Sequence, residues 1–188
     1  MTGATGQIGS ELTIELRTKY GRDNVIAAGH RTKPGENLLN SGPFEYIDVT
    51  QRENVENVVK NYDINTIYHL AAILSVVGEK NPQLAWNVNM IGLYNVLETA
   101  REHNILRVFW PSSIAVFGLE VPRVNTPQET ILIPRTMYGV TKVSGELLCN
   151  YYFIRFGVDV RGVRYPGIIS IETPPGGGTT DYAATMVY

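Results

Sequence analysis

The sequence contains 188 residues, of which 44% are hydrophobic, and 16 Lys and Arg against 18 Asp and Glu give a net charge of −2. These values are typical of a soluble globular protein of about one domain, and the lack of a basic excess gives no support for nucleic-acid binding. Apolar runs such as residues 67–77 are too short to span a bilayer, and the first residues lack the pattern of a secretory signal. We therefore expect a cytoplasmic protein that does not bind membranes.

Cysteine and histidine usage narrows the chemistry further. Cys149 is the single cysteine, which excludes an internal disulfide and fits a reducing compartment. It lies in an apolar stretch, so we interpret it as a core residue. The three histidines are scattered along the chain, and we predict no metal site.

Strand-like and helix-like segments alternate along the chain. In order, the pattern predicts a helix at 10–20, strands at 24–28 and 44–48, a helix at 51–62, a strand at 66–72, a helix at 82–103, a strand at 108–113, a helix at 138–156 and a strand at 158–165. Stretches rich in glycine and proline, at 33–43, 122–134 and 174–178, are predicted to be surface loops. This alternation implies parallel pairing with right-handed crossovers, hence an α/β fold with a doubly wound parallel sheet.

A glycine-rich loop opens the first helix. It reads TGATGQIG over residues 2–9 and contains Gly3, Gly6 and Gly9. Glycine allows positive φ and lets the backbone approach a ligand closely, while the following helix N-terminus favours a pyrophosphate. At a strand-to-helix junction of an alternating chain, this pattern predicts dinucleotide binding.

Both ends of the sequence look incomplete for such a fold. Only Met1 precedes the loop, so we expect the strand that leads into it to be missing, at a cost in stability. At the other end, residues 181–188 begin a helix-like segment and stop. We predict one dinucleotide-binding domain over residues 1–188, with a C-terminal lobe starting at about residue 171.

The residues that would choose between NAD and NADP give no clear answer. An NAD site usually carries Asp or Glu about 20 residues after the glycines, at the end of the second strand, to bind the ribose hydroxyls. Here that position holds Gly29, followed by His30 and Arg31. No carboxylate is present, and Arg31 is either a partner for a 2′-phosphate or a solvated loop residue.

Three residues suggest a proton-transfer site. Tyr138 and Lys142 lie four residues apart on a predicted helix and therefore share one face. A nearby ammonium stabilises a phenolate, so we expect a lowered tyrosine pKa that permits general-base catalysis. Ser113 ends a predicted strand, where its hydroxyl can bond a substrate oxygen.

Together with the glycine loop, these residues resemble the extended short-chain dehydrogenase/reductase family. The resemblance also covers Asp48-Val49, Leu70-Ala71-Ala72 and the segment VNMIG around Asn89. It implies that Ser113, Tyr138 and Lys142 are catalytic and that Lys142 binds the nicotinamide ribose. It implies NAD as cofactor, with NADP still open because the family pattern has an aspartate in place of Gly29. The implied cofactor-binding residues are Gly3, Gly6, Gln7, Ile8, Gly9, Gly29, His30, Arg31, Asp48, Val49, Leu70, Ala71, Ala72, Asn89, Tyr138, Lys142, Tyr165, Pro166 and Ile168.

Longer strings resemble one branch of that family, the epimerase-like threonine dehydrogenases. They are HLAAILS at 69–75, PSSIAVFG at 111–118, PRTMYGVTK at 134–142, RYPGIIS at 164–170 and GGGTTDY at 176–182. The likeness implies oxidation of the C3 hydroxyl of L-threonine, with Tyr138 as base. It implies that Ser75, Ser113, Tyr138, Thr179 and Asp181 bind this small amino-acid substrate.

Alternatives remain open at this point. A nucleotide-sugar epimerase, dehydratase or reductase would use the same residues, and a dinucleotide-binding module without activity would need only the glycine loop. The two long helices, 82–103 and 138–156, are by resemblance the pair that forms a homodimer.

Overall fold

The computed structural model describes residues 1–168. Helices and short strands alternate through this part of the chain, as predicted. The helices are α1 Gln7–Tyr20, α2 Glu36–Asn40, α3 Arg52–Asn61, α4 Ser75–Lys80, α5 Pro82–Trp86, α6 Gly92–Glu102 and α7 Met137–Phe156. The strands are β1 Ala27–Gly29, β2 Phe44–Tyr46, β3 Thr66–Tyr68, β4 Arg107–Phe109, β5 Ser112–Ser113, β6 Val160–Arg161 and β7 Arg164–Tyr165. No helix in this range is long and apolar enough to cross a membrane.

All strand pairs are parallel, which confirms the predicted fold class. β1 pairs with β2, β3 with β4, β4 with β6, and β5 with β7. Thr2 forms bridges to Ala28 and His69, so it joins the β1–β2 pair to the β3–β4–β6 sheet. In place of the strand that we expected to be missing before the glycine loop, Thr2 lies centrally between β1 and β3 and forms a bridge to each side.

The predicted strand 108–113 is divided by Pro111 into β4 and β5. Proline has no N–H to donate to a ladder, yet the neighbouring backbone stays paired, since Trp110 N donates to Arg161 O and Ser112 N to Val163 O, both at 2.9 Å. The strand therefore ends with Ser113 at the carboxyl edge of the sheet, where open α/β sheets bind ligands.

The main core lies between the sheet and helices α3, α6 and α7. Leu93, Val96 and Leu97 of α6 and Val108 of β4 are fully buried there. Helix α7 approaches closely because Gly145 leaves room for the Trp110 ring, whose atoms would lie 2.4 Å from a β-carbon at that position. This packing holds the helix that carries Tyr138 against the sheet.

Three sequence predictions differ from the structure around β1 and β3. Residues 33–43, predicted to be a loop, contain α2, and the strand predicted at 66–72 ends at Tyr68. The strand predicted at 24–28 starts only at Ala27. The cause near β1 is Arg17, which is 4% exposed. Its guanidinium donates to the carbonyl oxygens of Val25 and Leu38 at 3.1 and 2.8 Å, and so shapes both segments.

The long helix predicted at 82–103 is confirmed in extent but not in regularity. α5 and α6 are joined by a π-helical turn, Asn87–Ile91. The predicted start of a C-terminal lobe near residue 171 lies outside the described residues.

Candidate active site

The glycine loop has the shape of a phosphate-binding turn. Gly3 has a φ of +68°, and a β-carbon there would lie 2.6 Å from the Ala71 nitrogen. A β-carbon on Gly9 would lie 2.1 Å from the Gly3 oxygen, so these positions require glycine. Gly6 caps α1 without any side-chain bond to the helix N-terminus. The Nε2 of Gln7 is buried and has no hydrogen-bond partner among residues 1–168. An uncapped helix N-terminus and an orphaned amide donor fit an anionic dinucleotide.

The segment after β3 lies beside this loop and is held by Asn89. The Asn89 amide accepts from Ile73 N at 2.7 Å and donates to Ile73 O at 3.0 Å. It also donates to Thr141 Oγ1 at 3.1 Å, and Thr141 Oγ1 in turn donates to the backbone carbonyl oxygen of Tyr138 at 2.8 Å. Leu70, Ala71 and Ala72 are thereby fixed between the glycine loop and α7. Asn89 is 4% exposed, and its hydrogen bonds connect the segment after β3 to α7.

The ends of β1 and β2 bring together the residues predicted to bind the adenosine half of the cofactor. Gly29 ends β1, and His30 Nε2 lies 3.7 Å from Asp48 Oδ2. Burial would raise the pKa of Asp48, but hydrogen bonds from Thr50 and the charges of His30 and Arg31 hold it below its usual value. The next residue, Val49, is buried under α6.

Ser113 and Tyr138 meet at the carboxyl edge of the sheet. Thr136 caps α7 by accepting from Gly139 N at 3.0 Å, and Glu79 of α4 accepts from Met137 N at 2.5 Å. Tyr138 consequently occupies the first turn of α7. Burial raises the pKa of the Tyr138 phenol, and a hydrogen bond with Ser113 acts in the opposite direction.

Lys142 is buried beneath the same site, with 4% of its surface exposed. Its Nζ donates to Pro111 O at 2.7 Å and lies 4.5 Å from the Trp110 ring centroid and 5.5 Å from that of Tyr138. Burial lowers the pKa of Lys142 to about 8, although Cys149 and Glu146 act against this. The expectation that Lys142 gives Tyr138 a lowered pKa is corrected here: burial dominates, because the ammonium bonds the Pro111 carbonyl and not the phenol.

A carboxylate that sequence reasoning missed lies behind Ser113. Glu146 accepts from Ser112 Oγ at 2.5 Å and from Arg164 Nε and Nη2 at 2.8 and 2.7 Å. Glu146 is one helical turn beyond Lys142, which is the signal that could have drawn attention to it. Its partners are 34 and 18 residues away in sequence, so the fold alone brings them together.

The remaining predicted site residues fall at the same edge or outside the described range. Ser75 is buried at the start of α4, the helix that caps α7 through Glu79. Tyr165 pairs with Ser113 across β5 and β7, and Pro166 and Ile168 follow it. Thr179 and Asp181, predicted to bind substrate, lie outside the described residues.

Two residues interpreted as structural are indeed packed into the protein. The His69 ring is 1% exposed, with Nδ1 2.7 Å from Thr2 Oγ1. Cys149 packs against the main core, and burial raises the pKa of its thiol to about 12. A thiol with that pKa is a poor nucleophile at neutral pH.

Comparison with known proteins supplies the family. The model of the NAD dependent epimerase/dehydratase family matches residues 1–187. An uncharacterized epimerase/dehydratase of Staphylococcus aureus strain MRSA252 is 54% identical over 188 residues, which are 100% of this chain and 58% of the relative. The chain therefore spans little more than half the length of such curated relatives.

Solved structures agree in fold. The L-threonine dehydrogenase from Clostridium difficile superposes with a TM-score of 0.93 at 59% identity, covering 97% of this chain and 57% of that one. The Thermus thermophilus UDP-glucose 4-epimerase in complex with NAD gives a TM-score of 0.87 at 26% identity, covering 98% and 59%. With its glycine loop, its parallel sheet and a family match over nearly its whole length, the chain belongs to the NAD-dependent epimerase/dehydratase family.

Proposed function

We propose that this protein oxidises the C3 hydroxyl of L-threonine to 2-amino-3-oxobutyrate with NAD⁺. The observation that carries the proposal is the meeting of Ser113, Tyr138 and Lys142 beside the glycine loop, in a chain 59% identical to an L-threonine dehydrogenase. The product is a β-keto acid that can lose CO₂ to give aminoacetone.

The residues of the glycine loop and of the segment after β3 would hold the dinucleotide, and Lys142 would bind its nicotinamide ribose. When bound, NAD⁺ supplies the hydride acceptor for the hydrogen on C3. Ser113 orients the C3 hydroxyl, and Tyr138 removes its proton. The Lys142 ammonium, with a pKa of about 8, is mostly charged at neutral pH and stabilises the phenolate that must form.

For the substrate, we propose that Ser75, Thr179 and Asp181 bind the amino-acid end of threonine, with Asp181 facing the ammonium group. The alternative within the family is a nucleotide-sugar epimerase or reductase, which the likeness to the T. thermophilus epimerase supports. We favour threonine because identity to the threonine enzyme is 59% against 26% for the epimerase.

We propose NAD over NADP because the family whose model matches the chain is described as NAD dependent and the T. thermophilus structure carries NAD. At the adenosine end, the charges of His30 and Arg31 help to hold the pKa of Asp48 below its usual value, so a carboxylate lies among these positive groups. A 2′-phosphate would therefore meet the Asp48 carboxylate as well as Arg31.

We also propose a cytoplasmic homodimer formed through α6 and α7. Val140, Leu147 and Ile154 recur every seven residues on α7 and are 38%, 67% and 73% exposed, with Tyr151 beside them. Tyr94 of α6 is 45% exposed. A second copy would cover this apolar face, which lies on the helix that carries the base.

The decisive experiment follows the absorbance of the reduced cofactor. L-threonine and UDP-sugars are offered with NAD⁺ and NADP⁺ in parallel, to wild type and Tyr138→Phe. We expect signal only with L-threonine and NAD⁺, and a loss of about 10²–10⁴-fold in kcat on removing the general base. No threonine-dependent signal would end the substrate proposal, and full turnover by Tyr138→Phe would end the mechanism.

A further inference from the structure

The hydrogen-bonded cluster of Glu146, Ser112 and Arg164 has no part in the chemistry proposed above. Both charged side chains are largely sequestered, with 16% of the Arg164 side chain and 23% of the Glu146 side chain exposed. The two guanidinium bonds form a bidentate pair, an arrangement that fixes geometry as well as charge. A further Arg164 N–H donates to Gln128 O at 2.9 Å and anchors the loop before α7.

This cluster joins α7, which carries Tyr138 and Lys142, to β5, which carries Ser113, and to β7, which pairs with β5. Tyr138, Lys142 and Glu146 recur every four residues on α7 and so share one face of the helix. Ser112 immediately precedes Ser113 on β5, and β5 pairs with β7, with Ser112 opposite Arg164. The Glu146 carboxylate therefore fixes the distance between the strand that carries Ser113 and the helix that carries Tyr138.

We propose that Glu146 is a positioning residue that holds Ser113 against Tyr138 by clamping Ser112 and Arg164. The expected fall in kcat rests on the proposed function, whereas the expected loss of alignment between Ser113 and Tyr138 does not. Apart from this clamp, the strand that carries Ser113 is held to α7 by the bond from Lys142 Nζ to Pro111 O, by the packing of Trp110 on Gly145 and by the bond between Ser113 and Tyr138 themselves. Without the clamp, Ser113 would lose its alignment with the phenol, and misplacement of a reacting group by about 1 Å can cost 10²-fold in rate.

The first test is independent of turnover. It uses NMR of protein labelled with ¹³C at the tyrosine ring. The Tyr138 Cζ resonance is identified by its loss in Tyr138→Phe. The Ser113→Ala variant then gives the chemical shift of this resonance without the Ser113 hydrogen bond. Glu146→Gln and Ser112→Ala are expected to move this resonance toward the Ser113→Ala position. Glu56→Gln is the matched control, because Glu56 bonds Arg52 at 2.6 Å on α3, away from the site. An unmoved resonance in both test variants would overturn the inference.

The second test measures kcat and KM for L-threonine. Glu146→Gln should lower kcat by about 10–100-fold, with a much smaller change in KM for NAD⁺ because the glycine loop is untouched. Ser112→Ala is a milder variant that serves if Glu146→Gln folds poorly. It should also lower kcat. Because both act through one contact, Ser112→Ala should have little further effect in a Glu146→Gln background.

The outcomes separate this inference from the proposed function. A wild-type protein that oxidises no threonine while the Tyr138 resonance still shifts would refute the function and keep the clamp. An active wild type with unchanged kcat in both variants, or with fully additive losses, would refute the clamp alone. A fall in melting temperature without a fall in kcat per folded molecule would show a merely structural pair, and would also refute it.

Discussion

His69 should make the folded protein sensitive to mild acid. The ring is 1% exposed, and its Nε2 has no hydrogen-bond partner within residues 1–168. Burial, with smaller contributions from the Lys142 and N-terminal charges, lowers the pKa of His69 from 6.5 to about 3. The folded state therefore holds a neutral imidazole throughout the range in which an unfolded chain would protonate it.

The loss of unfolding free energy follows from the two pKa values of His69, 6.5 in the unfolded chain and about 3 in the folded protein. Because the unfolded state binds the proton more tightly, stability is complete above pH 6.5 and is lost as the pH falls toward 3. The slope is about 1.4 kcal/mol per pH unit, so His69 accounts for a loss of about 2 kcal/mol between pH 7 and pH 5. The Met1 amino group, whose pKa burial lowers from 8.0 to about 5, adds to the loss in the same window, so comparison with a variant is needed to isolate the His69 share.

Urea unfolding at pH 7 and pH 5 measures this loss for wild type and for His69→Asn. Asparagine keeps an acceptor for the Thr2 hydroxyl but cannot titrate. The variant should lose about 2 kcal/mol less than wild type between the two pH values. His103→Asn, a substitution at the end of α6, controls for the general effect of exchanging histidine for asparagine. Equal losses in wild type and His69→Asn would refute the account of a neutral buried ring.

Two further substitutions test the cofactor edge. Gly9→Ala should lower the free energy of unfolding by about 1–3 kcal/mol, because its β-carbon would lie 2.1 Å from the Gly3 oxygen. Urea titrations measure the loss, with Gly35→Ala as the control because a β-carbon there has nothing within 4 Å. Equal stability of the two variants would contradict the close packing at Gly9. Gly29→Asp should tighten NAD⁺ binding in fluorescence titrations at a small cost in stability, since its β-carbon would lie 2.9 Å from the Phe44 ring. Gly29→Asn lacks the charge and should not tighten it, and an unchanged or weaker affinity of the aspartate variant would count against this position at the ribose.

The architecture could be predicted because its signals are local and repeated. Alternation of apolar strands with amphipathic helices requires parallel pairing, and the glycines at 3 and 9 are required by two close backbone approaches. The helices α2 and α4 were missed for a different reason. They contain only 5 and 6 residues, too few to show a period of 3.6. Arg17 was missed because a buried arginine that bonds carbonyl oxygens has the same sequence signature as a solvated one.

The candidate site was predictable to the extent that it lies on single elements. The spacing of Tyr138 and Lys142 on one helix correctly placed them together. The partners of Lys142 and Glu146 could not be read from spacing, because Pro111, Ser112 and Arg164 reach α7 only through the sheet. The sequence therefore identified the proposed reacting groups but not the contacts that Lys142 and Glu146 make with the sheet.

The electrostatics of the base follow from burial acting on both members of the pair. Burial raises the pKa of Tyr138 and lowers that of Lys142 to about 8, so each group resists its charged form when considered alone. Formation of the phenolate changes this balance, since opposite charges in a low-dielectric site attract strongly. With both groups charged, attraction between a phenolate whose ring centroid lies 5.5 Å from Nζ and the ammonium would offset part of the burial that raises the tyrosine pKa and lowers the lysine pKa. Burial also removes both charges from water, so this attraction offsets only part of that cost. The Ser113 hydrogen bond, which acts to lower the Tyr138 pKa, supplies a further part.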